Sequence, residues 1–189
     1  MYRIPLALIF ALLPATAFAH PGLVPHAHGF ADGVSHPFSG LDHLLAMIAV
    51  GLWASQQGAR ALWLWPASFV VAMIAGGVLG MSGFSLPLVE PVIAASLLVL
   101  GLMIASAINL PQNSGAVLIA LFGFFHGNAH GLDAGGTAAG YALGFTLATV
   151  TLHALGLALG IGARRAQAHP VLRLAAGFIA VTGAALLFV

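Results

Sequence analysis

Lysine and cysteine are both missing from this 189-residue chain. Without lysine there is no Gly-Lys pair for a phosphate-binding loop, so the chain is not an ATP motor of that type. No lysine Schiff base can form either. Without cysteine there are no thiolate metal sites, no covalent haem attachment and no disulfides. Charge is scarce as well: 5% of residues are charged, where a soluble domain has about 25%. The five methionines are scattered and one is the initiator, so a methionine-lined copper(I) path is not expected. Imidazole, carboxylate, amide and carbonyl remain as metal ligands. That set suits nickel, cobalt(II), zinc or iron(II).

The rest of the chain is apolar. Hydrophobic residues make up 61% and mean hydropathy is +1.07. The expected fold is all-α: a polytopic membrane helix bundle of six transmembrane helices after a cleavable signal peptide. Arg3, the apolar run from Ile4 to Leu13 and the small-residue site Ala17-Phe18-Ala19 mark residues 1–19 as that signal, so the mature chain begins at His20. Residues 20–36 read as a His-rich periplasmic tail, because Gly, Pro and His interrupt any apolar period. Residues 37–189 form a six-helix transmembrane domain, with spans near 38–56, 61–81, 87–108, 115–131, 137–162 and 170–189.

The arginines orient the bundle. With the mature N-terminus outside, Arg60, Arg164, Arg165 and Arg173 all fall at cytoplasmic ends. The acidic residues then sort to the other face, with Asp32, Asp42, Glu90 and Asp133 at outer ends. His36, His43, His126 and His130 lie there too. The expected location is therefore a bacterial inner membrane, with nearly every candidate ligand at its periplasmic face. Gly76-x-x-x-Gly80, Gly140-x-x-x-Gly144 and Gly156-x-x-x-Gly160 permit close helix approach. Two three-helix halves related by an inverted repeat would fit such a bundle.

Two motifs carry the chemistry, because imidazoles and carboxylates are costly in a membrane and need a reason to be there. The first is His36-Pro37-Phe38-Ser39-Gly40-Leu41-Asp42-His43. His36 and His43 are two helical turns apart and share a face if one helix covers both. Alternatively, Ser39-x-x-Asp42 is a capping box that starts the helix later, with His36 left in a loop. Asp42 is then a cap, or it fixes the tautomer of a ligating histidine from behind. The second motif is Phe125-His126-Gly127-Asn128-Ala129-His130-Gly131-Leu132-Asp133. His126 and His130 are four apart on one helix face, and Asp133 continues that face unless the helix ends at Gly131. Gly127 and Gly131 leave room for a neighbouring helix or an ion. Both histidines could instead be bonded to backbone or to Glu90.

The candidate metal ligands are thus His36, Asp42, His43, Glu90, His126, His130, Asp133 and His153. Glu90 could also serve as a helix N-terminal carboxylate. His153 lies deep in the fifth span with Thr149 one turn earlier, and is either a helix contact or a second station toward the cytoplasm. His20, with its free amine after cleavage, and His26 and His28 in the tail form a possible capture site. His169, beside arginines, is incidental.

These motifs resemble the HupE/UreJ family of nickel and cobalt permeases. The family's H-P-x-x-G-x-D-H is matched by His36, Pro37, Gly40, Asp42 and His43. Its F-H-G-x-A-H-G is matched by Phe125, His126, Gly127, Ala129, His130 and Gly131. Glu90 with Ile93, Ala94 and Ser96, and Ala148, Thr149, Leu152, His153 and Gly156, resemble two further elements. Asp133 stands where members often carry glutamate. The resemblance implies secondary uptake of Ni²⁺ or Co²⁺, supplied to hydrogenase, urease or cobalamin synthesis. No enzymatic activity, permanent cofactor or nucleic-acid partner is expected. The partners are the divalent ion, the lipid bilayer and, compatibly, further copies of the chain and a metalloenzyme maturation system. Two other readings of the residues are an intramembrane zinc hydrolase using Ser35, Ser39 and Asp42, and a b-type haem protein with axial histidine pairs.

Overall fold

The computed structural model describes residues 29–133 and 138–189. The chain is all-helical over these residues, with seven helices: α1 (Phe30–Ser39), α2 (Leu41–Gln56), α3 (Ala61–Met81), α4 (Val89–Ala105), α5 (Gln112–Asp133), α6 (Ala138–Arg165) and α7 (His169–Leu186). The expected signal sequence and His20, His26 and His28 lie outside the described residues. Helices α2 to α7 fall on the six apolar stretches. Three of them, α3, α6 and α7, are long and apolar enough to cross a membrane, as is the bent pair α1–α2 taken together. Helix α4 is apolar but 17 residues long, and the polar second half of α5 dilutes its 22 residues. Large apolar side chains cover the outside, among them Val71, Val117, Leu174 and Val181, all more than two-thirds exposed. Such a surface suits lipid and is foreign to a soluble monomer.

The tail expected to reach residue 36 is helical from Phe30. Local preference does not explain α1, which contains Gly33 and Pro37. Docking on α6 does. A Cβ at Gly33 would run into the Tyr141 carbonyl, and one at Gly144 into that of Phe30, so the two backbones touch. Neither a single helix over His36 and His43 nor a Ser39-x-x-Asp42 capping box forms. The chain breaks at Gly40, and α2 leaves α1 at 87°. The Ser39 hydroxyl donates to the His36 carbonyl at 2.6 Å.

The most extensive helix pairs are α3–α5, α4–α7 and α2–α6. Small residues make each one close. Gly76 and Gly80 meet the backbone of α5, Gly51 and Gly156 join α2 to α6, and Gly101 and Gly183 join α4 to α7. Exchanging α2–α4 for α5–α7 converts the α2–α6 pair into α5–α3 and returns α4–α7 to itself, as two interlocked halves require. The α2–α4 contact has no comparable α5–α7 counterpart among the described residues.

One end of the bundle is tied by amide side chains. Gln57 donates to the Ile108 carbonyl at 2.7 Å and accepts from Leu110 N–H at 3.1 Å. Gln112 donates to the Gln57 carbonyl, and the Trp65 indole N–H donates to the Gln112 carbonyl. Trp53 and Trp65, both fully buried, pack at 4.6 Å between ring centres just inside this seam. At that end too, Arg164 donates to the Ser55 carbonyl, and Ser55, Arg164, Arg165 and His169 line one cavity. The histidine motifs sit at the opposite ends of α2 and α5.

Candidate metal centre

The bend at Gly40 and the antiparallel run of α5 bring both motifs to one cavity of about 530 Å³, lined by His36, His43, Glu90, His130, Ser85 and neighbouring apolar residues. His130 is its hub. The His36 and His43 rings approach it edge to face, at 4.6 and 4.4 Å between centroids. His126, one turn deeper on α5, lies 5.2 Å from His43. Of the eight candidate ligands, the fold therefore groups His36, His43, His126 and His130 directly and places Glu90 on the rim. Asp133 is the last residue of α5, which continues past Gly131.

Asp42 stands behind His43. One of its oxygens accepts from the His43 backbone N–H and lies 2.8 Å from its ring Nδ1. A proton on Nδ1 turns the Nε2 lone pair outward, and Nε2 is buried without a hydrogen-bond partner. The pattern repeats twice. His126 Nδ1 lies 2.9 Å from the Phe122 carbonyl, and His153 Nδ1 lies 2.7 Å from the Met47 carbonyl. A carbonyl only accepts, so Nδ1 carries the proton in both, and both Nε2 atoms are again buried and unpartnered. Both ring nitrogens of His130 are in the same condition. An unmet buried nitrogen costs about 1–3 kcal/mol, and repeating it at four histidines needs a reason. Anchoring one ring nitrogen on oxygen while the other is offered forward is how metal-binding histidines are held.

The rings are packed against one another rather than converged on a point. Among the described residues no group of three or more His, Asp or Glu is placed to hold a metal ion as it stands. Binding an ion means turning the rings so that nitrogens, not edges, meet. The same contact leaves no room for a porphyrin between His43 and His130. The Ser35 and Ser39 hydroxyls donate to backbone carbonyls and pair with no base.

His153 is separated from this group. The Phe69 ring, fully buried, stands between it and His126, at 5.0 Å from the first and 5.4 Å from the second. Thr149 does lie one turn before His153, and its hydroxyl reaches the sulfurs of Met47 and Met73, at 3.4 and 3.6 Å. The sequence reading took the methionines as scattered, because residues 26 positions apart on different helices give no local sign of meeting.

It also passed over Asn128, inside the second motif. This buried amide accepts from Leu86 N–H at 2.9 Å and donates to the Phe84 carbonyl at 2.9 Å and the Gly76 carbonyl at 3.4 Å. It pins the α3–α4 connection to α5. That connection ends at Leu88, whose φ of 61° is left-handed and costs a leucine about 1–2 kcal/mol. Held this way, α4 starts with Glu90 at the cavity rim. A buried asparagine between two histidines was the available signal. Gly127 and Gly131 prove to admit a helix rather than an ion: a Cβ at either would strike a carbonyl of α3, that of Met73 or Gly77.

A helical bundle with an apolar exterior and a buried histidine cluster at one end has the character of a membrane protein. The chain matches the HupE / UreJ protein family over residues 8–186 and belongs to that family. It is 44% identical to Protein HupE of Rhizobium leguminosarum bv. viciae over 187 residues, covering 98% of this chain and 97% of the relative. No solved structure matches.

Proposed function

We propose that this chain is a secondary uptake permease for Ni²⁺, Co²⁺ or both across the bacterial inner membrane, with α2 to α7 as six spans and the mature N-terminus periplasmic. The observation that carries this reading is the row of buried, unpartnered Nε2 atoms on His43, His126 and His153, each behind an anchored Nδ1. They lie at successive depths, as hand-over between sites needs. The ion enters at His36, His43, His130 and Glu90, meets His126, and reaches His153 beyond Phe69. Few, exchangeable imidazoles favour release over capture. Placing the arginine-lined cavity at the other end satisfies the positive-inside rule. A zinc hydrolase has less support, because neither Ser35 nor Ser39 faces a base.

The test is cellular nickel and cobalt content at sub-micromolar metal, in a host lacking its own nickel importer. The wild type is compared with a His36→Ala/His126→Ala variant and an empty vector. Accumulation by the wild type alone is expected, and the preferred ion names the substrate. Equal content in all three, with insertion confirmed, overturns the reading.

A further inference from the structure

Between the outer histidines and His153 the bundle contains two soft thioether donors joined by a hydroxyl. Met47 comes from α2, Met73 from α3 and Thr149 from α6. Met47 and Thr149 have no exposure and Met73 has 3%. The Thr149 hydroxyl has one proton to give and two sulfurs within reach, so at any moment one thioether is uncommitted. Two of the three helices continue the group inward by one turn. Phe69 precedes Met73 by four residues on α3, and His153 follows Thr149 by four on α6. The His153 ring meets Phe69 edge-on, its Nδ1 is held by the carbonyl of Met47 itself, and its Nε2 is buried and unpartnered.

We infer that Met47, Met73 and His153 form a binding site for a soft monovalent cation of the silver(I) or copper(I) kind, with the Thr149 hydroxyl aligning the two thioethers. Thioethers prefer soft, low-charge ions that accept two or three ligands. A divalent nickel or cobalt ion gains little from them, and passes them on the way to an imidazole. A soft ion gains both sulfurs and stops. The group therefore acts as a trap for soft ions within the path. Only this consequence for transport rests on the permease reading; the binding itself does not.

The binding test uses the purified full-length chain in detergent with one equivalent of silver(I), read by X-ray absorption at the silver edge. Sulfur in the first shell is expected, and its loss in Met47→Leu/Met73→Leu. Leucine and methionine have similar volumes, so the exchange is mild on the core. Each single variant keeps one sulfur and should bind silver at least about tenfold more weakly, the scale of losing part of a ligand set. A silver shell without sulfur, or sulfur unchanged in the double variant, overturns the site. The latter outcome would assign the ion to Met1, Met81 or Met103.

A second readout is nickel uptake by proteoliposomes preloaded with silver(I). Block of the wild type with sparing of the double variant places the site in the path. Equal block of both overturns that placement. Absence of nickel uptake in any preparation, with the silver–sulfur shell intact, counts against the permease reading and leaves the soft site standing.

Discussion

One carboxylate oxygen of Asp42 serves both the backbone N–H and the ring Nδ1 of His43, each at 2.8 Å. Asp42 therefore holds the His43 ring and fixes which nitrogen is free; on the permease reading it acts on the ion through His43. Replacing it with alanine should weaken nickel uptake by about 10–100-fold, the usual cost of losing such a support. Asp42→Asn, which retains an acceptor oxygen, should lose less. Uptake kinetics at graded nickel concentration separate the two, and an asparagine variant as impaired as alanine would point to direct ligation by the carboxylate.

Asn128 is a structural clamp, and its loss should show in stability before it shows in chemistry. Asn128→Ala leaves the Leu86 N–H and the Phe84 carbonyl without their partner. A cost of about 1–3 kcal/mol is expected, seen as a lower melting temperature in detergent. Protease sensitivity should rise in residues 82–88.

Two glycine substitutions should differ in sign. At Gly127 an alanine methyl would run into the Met73 carbonyl, forcing α3 and α5 apart, and overpacking of this kind costs about 1–3 kcal/mol. At Gly162, in α6, nothing lies within 4 Å of the added methyl. There the helix preference for alanine should give about 0.5–1 kcal/mol of added stability. Thermal melts of the two variants, side by side, check both.

The helices were legible because long apolar runs have few alternatives in lipid. The histidine motifs stood out because imidazoles are costly in a membrane, and the fold gathers them. Contacts that exist only after folding were not. Met47 and Met73 meet through Thr149, a third helix, and neither neighbourhood hints at the other. The part of α1 up to His36 was read as a tail because Gly, Pro and His interrupt any apolar period over residues 20–36. Its stability comes from α6, whose Gly144 accepts its backbone. The role of Gly127 was open, since a gap for an ion and a gap for a helix look the same in sequence.

The right-angle turn at Gly40 has a consequence for coordination angles. Two imidazoles on one straight helix face would approach an ion along nearly parallel directions, which suits neither a tetrahedral nor an octahedral shell. With α1 at 87° to α2, His36 and His43 reach the His130 ring from crossed axes. A substituent at Gly40 would press on the Asp42 carboxylate, 2.6 Å from a built Cβ, and on the His43 ring. The smallest residue in the first motif thus sets the angular spread of its two histidines.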